Sequence, residues 1–128
     1  MGRYAKGANF ERELVRLFWD RGWVALRTAG SGSTPHAVPD VLALRESDVV
    51  SVECKSTSRD KLSLKGAVLS LKEFADIAGG RAYIAVRFPR EKPRFYELKQ
   101  IISKGNYTIK TKDKYLSIDA ITGKQNLL

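Results

Sequence analysis

Residues 38–44 and 49–55 are apolar segments of strand length, joined by the polar turn Arg45-Glu46-Ser47-Asp48, and together they predict a hairpin. The second segment constrains the fold most, because Val52-Glu53-Cys54-Lys55 puts charge into an otherwise apolar strand. Side chains alternate across a strand, so Glu53 and Lys55 share one face while Val52 and Cys54 share the other. If the turn is symmetric, Leu44 pairs with Val49 and Asp40 with Glu53. Directly paired residues project to the same side of a sheet, so Asp40, Glu53 and Lys55 converge on one patch. A turn of odd length would slip the register by one residue and separate them.

The first helix is predicted over residues 6–22. Phe10, Leu14, Leu17 and Phe18 recur at helical spacing, with Gly22 available as a C-terminal cap. Glu11 falls inside the apolar arc defined by Phe10, Leu14, Val15, Leu17 and Phe18, whereas Arg12, Glu13, Arg16 and Asp20 fall outside it. A carboxylate aimed at the core is costly without a partner, and a cation shared with Asp40 and Glu53 would supply one.

Further along, residues 23–28 read as a strand and 29–37 as a loop rich in Gly, Ser and Pro. Residues 58–64 form a connection or short strand, 67–78 a second helix closed by Gly79-Gly80, and 81–88 a strand. Pro89 and Pro93 mark a break; 94–96 adds a strand, 97–103 a short helix, and 107–110 with 115–118 a hairpin. The order α-β-β-β-α-β-β predicts an α/β fold: a central mixed β-sheet with a helix on each side. We see no repeat, low-complexity stretch or linker, so residues 1–128 read as one domain, the last few residues standing as a tail.

The 128 residues carry 23 Lys and Arg against 14 Asp and Glu, a net charge of +9, which points to a polyanionic partner such as nucleic acid. Charge alone equally fits a basic structural protein. No apolar run approaches the ~18 residues that span a bilayer, so no membrane partner is expected. Basic residues at the N-terminus lead into no apolar stretch, so no secretory signal is expected. A lone Cys54 fits a reducing, cytoplasmic interior.

Acids grouped beside a lysine suit phosphodiester hydrolysis. Hard oxygen ligands hold Mg²⁺, which keeps several waters and contacts substrate phosphate. The metal makes a bound water nucleophilic, and a lysine near a ligand orients or deprotonates that water or neutralises the phosphate. Each residue also has a plainer reading. Glu11 complements a helix dipole, Asp40 after Pro39 starts a strand, and Glu53 with Lys55 forms a solvated ion pair. Their coincidence with a register that superposes the acids favours the site.

Pro39-Asp40…Glu53-Cys54-Lys55 resembles the motif of the restriction-endonuclease-like nuclease superfamily named for its Pro-Asp…(Asp/Glu)-x-Lys pattern. Residues 3–90 resemble, more narrowly, the archaeal Holliday-junction resolvases. Lys6-Gly7-Ala8-Asn9-Phe10-Glu11-Arg12-Glu13 is similar to that family's first-helix motif, Ser31-Gly32-Ser33 to its active-site loop, and Glu53-Cys54-Lys55-Ser56-Thr57 to its motif strand. Gly79-Gly80-Arg81 before an apolar strand also fits.

The resemblance implies a restriction-endonuclease-like fold and an endonuclease that resolves four-way DNA junctions by paired hydrolysis with Mg²⁺, Mn²⁺ being a workable substitute. It implies Glu11, Asp40 and Glu53 as metal ligands, the Cys54 carbonyl as an extra one, Lys55 as the catalytic lysine and Ser31 as a loop serine near the scissile strand. Ser33 lies in the same DNA-facing loop. A two-fold symmetric substrate calls for a homodimer, which the family forms, and a place with the nucleoid. One departure is the start of the second helix, Lys65-Gly66-Ala67, where some relatives carry Gln.

Arg3, Lys6, Arg12, Arg27, Arg59, Lys61 and Lys65 flank the motif elements and are candidate phosphate contacts. His36 reads as an ordinary loop residue, and Trp19 and Trp23 as core or interface residues. Lys124-Gln125-Asn126-Leu127-Leu128 resembles the start of a sliding-clamp-binding peptide, without the aromatic pair that should follow. Two readings compete with the junction resolvase: a nuclease of the same superfamily acting on other DNA, and a catalytically silent junction-binding module.

Overall fold

A computed structural model describes residues 3–28 and 34–123, with side chains from residue 7 onward. In chain order the elements are α1 (Arg3–Asp20), β1 (Val24–Arg27), β2 (Val41–Arg45), β3 (Asp48–Ser56), β4 (Lys61–Ser63), α2 (Lys65–Ala78), β5 (Arg81–Arg87), β6 (Arg94–Glu97), α3 (Leu98–Ser103), β7 (Thr108–Lys110) and α4 (Ile118–Thr122). Among the described residues, five strands form one sheet in the order β1-β2-β3-β5-β6, and β4 pairs with β7 in a small second sheet. Only β3 and β5 run parallel, as their connection through α2 requires; β1–β2, β2–β3 and β5–β6 are antiparallel. This is the mixed, helix-flanked sheet expected.

Alternation along the strands feeds two cores. On one face, Phe10, Leu14 and Phe18 of α1 pack onto Ala25, Val41, Ala43, Val50, Val52, Tyr83 and Phe95. On the other, Val68 and Leu71 of α2 pack onto Ile84, Val86 and Tyr96, with Ile101 and Ile109 below. Each Val, Leu, Ile or Phe among them contributes about 1.5–3 kcal/mol by leaving water. Glycine is required where β5 begins: at Gly80, φ is +82°, and a Cβ would stand 2.3 Å from the Val49 carbonyl oxygen.

Among the described residues the second face is only partly covered. α2 packs on β3 and β5, while Val24 and Leu26 of the edge strand β1 remain 47% and 44% exposed on that side. They sit opposite Leu44 and Leu42 of β2, so an apolar strip runs across both strands.

Several boundaries depart from expectation. α1 starts at Arg3, earlier than expected, and runs to Asp20. Gly22 is nonetheless the left-handed cap expected: its φ is +84°, and the Gly22 and Trp23 N–H groups donate back to the Trp19 and Phe18 carbonyls at 3.1 and 3.0 Å. β2 starts at Val41 because Pro39 has no N–H to give the ladder and the side chain of Asp40 takes over the next position. The hairpin expected over 107–110 and 115–118 does not form. Thr108–Lys110 pairs with β4 instead, and Leu116 bridges Phe95 through bonds of 2.9 and 2.8 Å. Residues 118–122 are helical because Ser117 caps them, its hydroxyl accepting from the Ala120 N–H at 3.1 Å. Trp23 is core, at 1% exposure; Trp19 is a surface residue whose indole N–H donates to the Ala25 carbonyl at 2.9 Å.

Candidate active site

The β2–β3 register pairs Leu44 with Val49 and Val41 with Val52. One step further along the same ladder sets Asp40 opposite Glu53, the convergence expected from a symmetric turn. The chain holds this end from two directions. Thr28, just past β1, donates its N–H to the Asp40 carbonyl at 3.0 Å, and its hydroxyl donates to the Pro39 carbonyl. The Asp40 carboxylate then accepts the Cys54 backbone N–H at 2.8 Å. A side chain thus closes the ladder where the backbone of β2 ends. The N–H and C=O of one strand residue leave on the same side, so the Cys54 carbonyl also opens toward Asp40.

Glu53 is pushed up to about 7 from an ordinary carboxylate value of 4.5. Burial is the main cause, followed by the negative charge of Asp40; Glu11 pushes the same way, while Lys55 and a hydrogen bond from the Asp40 backbone oppose the shift. Burial and the same carboxylates also push the Cys54 thiol well up, which favours its protonated form. Like charges confined in one place favour a cation between them. Aspartate and glutamate oxygens beside a strand carbonyl are the hard donors that Mg²⁺ takes, so the residues present fit such an ion.

Glu11 turns inward from α1, as its position in the apolar arc indicates, but its partner is a side chain. Arg27 of β1 donates from Nε to Glu11 Oε1 at 2.8 Å, with both groups largely buried. Arg27 is therefore committed to the site and is not a free phosphate contact in this conformation. Among the described residues no three His, Cys, Asp or Glu side chains are grouped to hold a metal. Asp40 and Glu53 are brought together, with Glu11 near enough to act on Glu53 through its charge but drawn to Arg27.

Among the other candidates, Arg12, Arg59, Lys61 and Lys65 are exposed. Arg12 reaches Asn9 at 3.4 Å, and the Lys65 ammonium lies 5.9 Å from the Tyr107 ring centroid. Ser31, Ser33 and the tail 124–128 lie outside the described residues, as do the side chains of Arg3 and Lys6. One neighbour of the site, Glu73, escaped sequence reasoning, and another, His36, reads from the sequence only as an ordinary loop residue. His36 and Glu73 line a polar cleft of about 360 Å³ with Thr34, Ser70 and Glu53, which joins the loop after β1 to α2. The spacing of Glu73 on a helix holds no signal for this; only the packing of α2 beside β3 brings it there.

The sequence matches the family described as "Archaeal holliday junction resolvase (hjc)" over residues 2–126. It is 34% identical to a crossover junction endodeoxyribonuclease, Hjc, of Methanocaldococcus jannaschii, over 91% of this chain and 85% of that one. It is 35% identical to the enzyme Hje of Saccharolobus islandicus, over 88% of this chain and 79% of the relative. The fold superposes on the structure of Archaeoglobus fulgidus Hjc, a Holliday junction resolvase from an archaeal hyperthermophile. The TM-score is 0.81 at 33% identity, over 91% of this chain and 98% of that one. The chain belongs to the archaeal Holliday-junction resolvase family.

Proposed function

We infer that this chain is a crossover junction endodeoxyribonuclease that resolves four-way DNA junctions by paired, Mg²⁺-dependent hydrolysis of phosphodiesters. The observation that carries the reading is the pairing of Asp40 with Glu53 across the open end of the β2–β3 ladder, with Lys55 two residues beyond Glu53 on the same face.

Asp40 and Glu53 would hold the ion, with Glu11 and the Cys54 carbonyl as further ligands. When bound, Mg²⁺, or Mn²⁺ in its place, supplies an activated water and neutralises charge on the scissile phosphate. Asp40 is pinned by the Cys54 N–H, so one ligand is fixed before anything binds. Glu53 must release its proton to act as a ligand, and Lys55 favours that release. The ammonium of Lys55 then orients or deprotonates water or meets a phosphate oxygen. Ser31 would act on the scissile strand, with Ser33 as a further DNA contact. Arg3, Lys6, Arg12, Arg59, Lys61 and Lys65 supply the phosphate-contacting walls, and Arg27 joins them once Glu11 turns to the ion.

Two opposed nicks need two active sites, and the strip formed by Val24, Leu26, Leu42 and Leu44 supports a homodimer assembled on the open half of the sheet. We read residues 1–128 as one nuclease unit, working beside the nucleoid, with the tail from Lys124 as a sliding-clamp contact.

Cleavage of an immobile four-way junction, run beside a fork and a linear duplex of the same sequence, tests the reading. Paired nicks confined to the junction and dependent on Mg²⁺ are expected. Equal cutting of the duplex would make this a general nuclease, and junction binding without cleavage would make it a silent binding module.

A further inference from the structure

We propose that the groove on the far flank of α1 from Glu11 is a second sugar-phosphate backbone site, built around Arg87 and guarded by Glu13. The proposal rests on the reading of this chain as a DNA-acting enzyme and adds a contact outside its active site. The groove measures about 660 Å³ and is lined by Glu13, Ser56, Thr57, Arg59 and Arg87, with Phe10 as its floor.

Its placement follows from the sheet. Ser56 is the residue after Lys55 and pairs with Arg87 at the end of β5. Cys54 packs into the α1-side core, so Ser56 and Arg87 lie on the α1 face, opposite to Lys55. α1 crosses this face between two guanidinium groups. From one flank Glu11 meets Arg27 on β1; from the other Glu13, two residues on, meets Arg87 on β5. The helix therefore has Glu11 on one flank and the groove on the other, while Asp40 and Glu53 project from the opposite face of the sheet.

The lining is that of a phosphate site with its anion supplied from within. Arg87 lies 5.2 Å from the Phe10 ring centroid and donates to the Glu91 carbonyl at 2.6 Å and to the Glu13 carboxylate. Arginine presents a rigid fork of donors that fits carboxylate and phosphate alike. The remaining polar lining is hydroxyl, guanidinium and the Asn9 amide; Thr57 accepts the Arg59 N–H at 3.0 Å, which leaves its own proton to donate. Glu13 is the one acid among the described lining residues. A DNA phosphate entering the groove takes the place of the Glu13 carboxylate on Arg87, so Glu13 weakens binding and excludes weaker anions.

The test is a double-mutant cycle on metal-free DNA binding, read by fluorescence anisotropy against salt concentration with wild type, Glu13→Gln, Arg87→Gln and the double variant. Thermal unfolding would confirm that each is folded. Arg87→Gln is expected to weaken binding about tenfold and to reduce the slope of log K against log salt by about 1. Glu13→Gln is expected to tighten binding about threefold, and the double variant to match Arg87→Gln alone, because the effect of Glu13 passes through Arg87. Tightening that persists when Arg87 is Gln would be a general charge effect and overturns the proposal, as does no change in Glu13→Gln. The cycle reads the same on junction or linear duplex. A wild type without junction preference therefore sinks the resolvase reading separately, and a wild type that binds no DNA sinks both.

Discussion

Arg27 donates from Nε to Glu11 Oε1 at 2.8 Å, so the carboxylate that α1 turns toward the sheet already has a cation. The pair is largely buried, with 28% and 18% of the two side chains exposed, and neither charge is left unbalanced. A divalent ion that recruits Glu11 must draw it away from Arg27. Arg27→Gln is expected to lower the Mg²⁺ concentration for half-maximal nicking by about threefold, the scale of one ion pair, and to reduce the maximal rate as Glu11 loses its orientation. A higher half-saturating concentration would show that Arg27 assists metal binding.

Asp40→Asn keeps an oxygen that accepts the Cys54 N–H but removes a charge. Junction cleavage should fall by at least about 100-fold, the loss typical of deleting one preorganised electrostatic group. Junction binding without metal should stay within about twofold of wild type. Lost binding together with lost cleavage would indicate a structural role for the carboxylate.

Glu53 titrates near 7 in the fold and near 4.5 when exposed. The fold therefore favours the protonated acid. The stability this contributes is fully present below about 4.5 and is lost as pH rises through 7. In chelator, Glu53→Gln should gain in Tm over wild type as pH goes from 5 to 7.5, by a few degrees. Added Mg²⁺ should recover wild type most above pH 7, where Glu53 is ionised. A Tm difference that stays flat with pH would mean that Glu53 is ordinary.

Gly80→Ala would drive a Cβ to 2.3 Å from the Val49 carbonyl oxygen at a backbone angle that L residues avoid. Denaturant unfolding should show a loss of at least about 2 kcal/mol. Gly66→Ala, on α2 with open space at the Cβ position, should be neutral or stabilising.

The convergence of Asp40 and Glu53 was legible because it depends on local arithmetic: a four-residue turn and a period of two. Glu11 was legible through helical periodicity, which set its direction. Its partner was not, because Arg27 lies 16 residues away on a strand whose buried face the sequence leaves undetermined. With Val24 and Leu26 both exposed on the apolar strip, hydrophobicity along β1 does not tell inside from outside. The segment 107–118 misled for a different reason. Tyr, Ile and Leu there suggested paired strands, but Ser117, Asp119 and Gly123 are the cap, first-turn acid and left-handed stop of a short helix. Glu73 and Arg87 gain their neighbours from packing between distant elements, which no spacing encodes.

The Cys54 amide has a use beyond holding Asp40 in place. It is a single backbone proton donated to a carboxylate that any divalent ion or nearby positive charge must perturb, while the strand around it stays fixed by its pairing with β5. In a nitrogen-edited spectrum its resonance is an internal electrode for the site. Loading, proton release and arrival of a phosphate should each move one assigned peak, with no label beyond the nitrogen isotope and no substrate analogue or turnover.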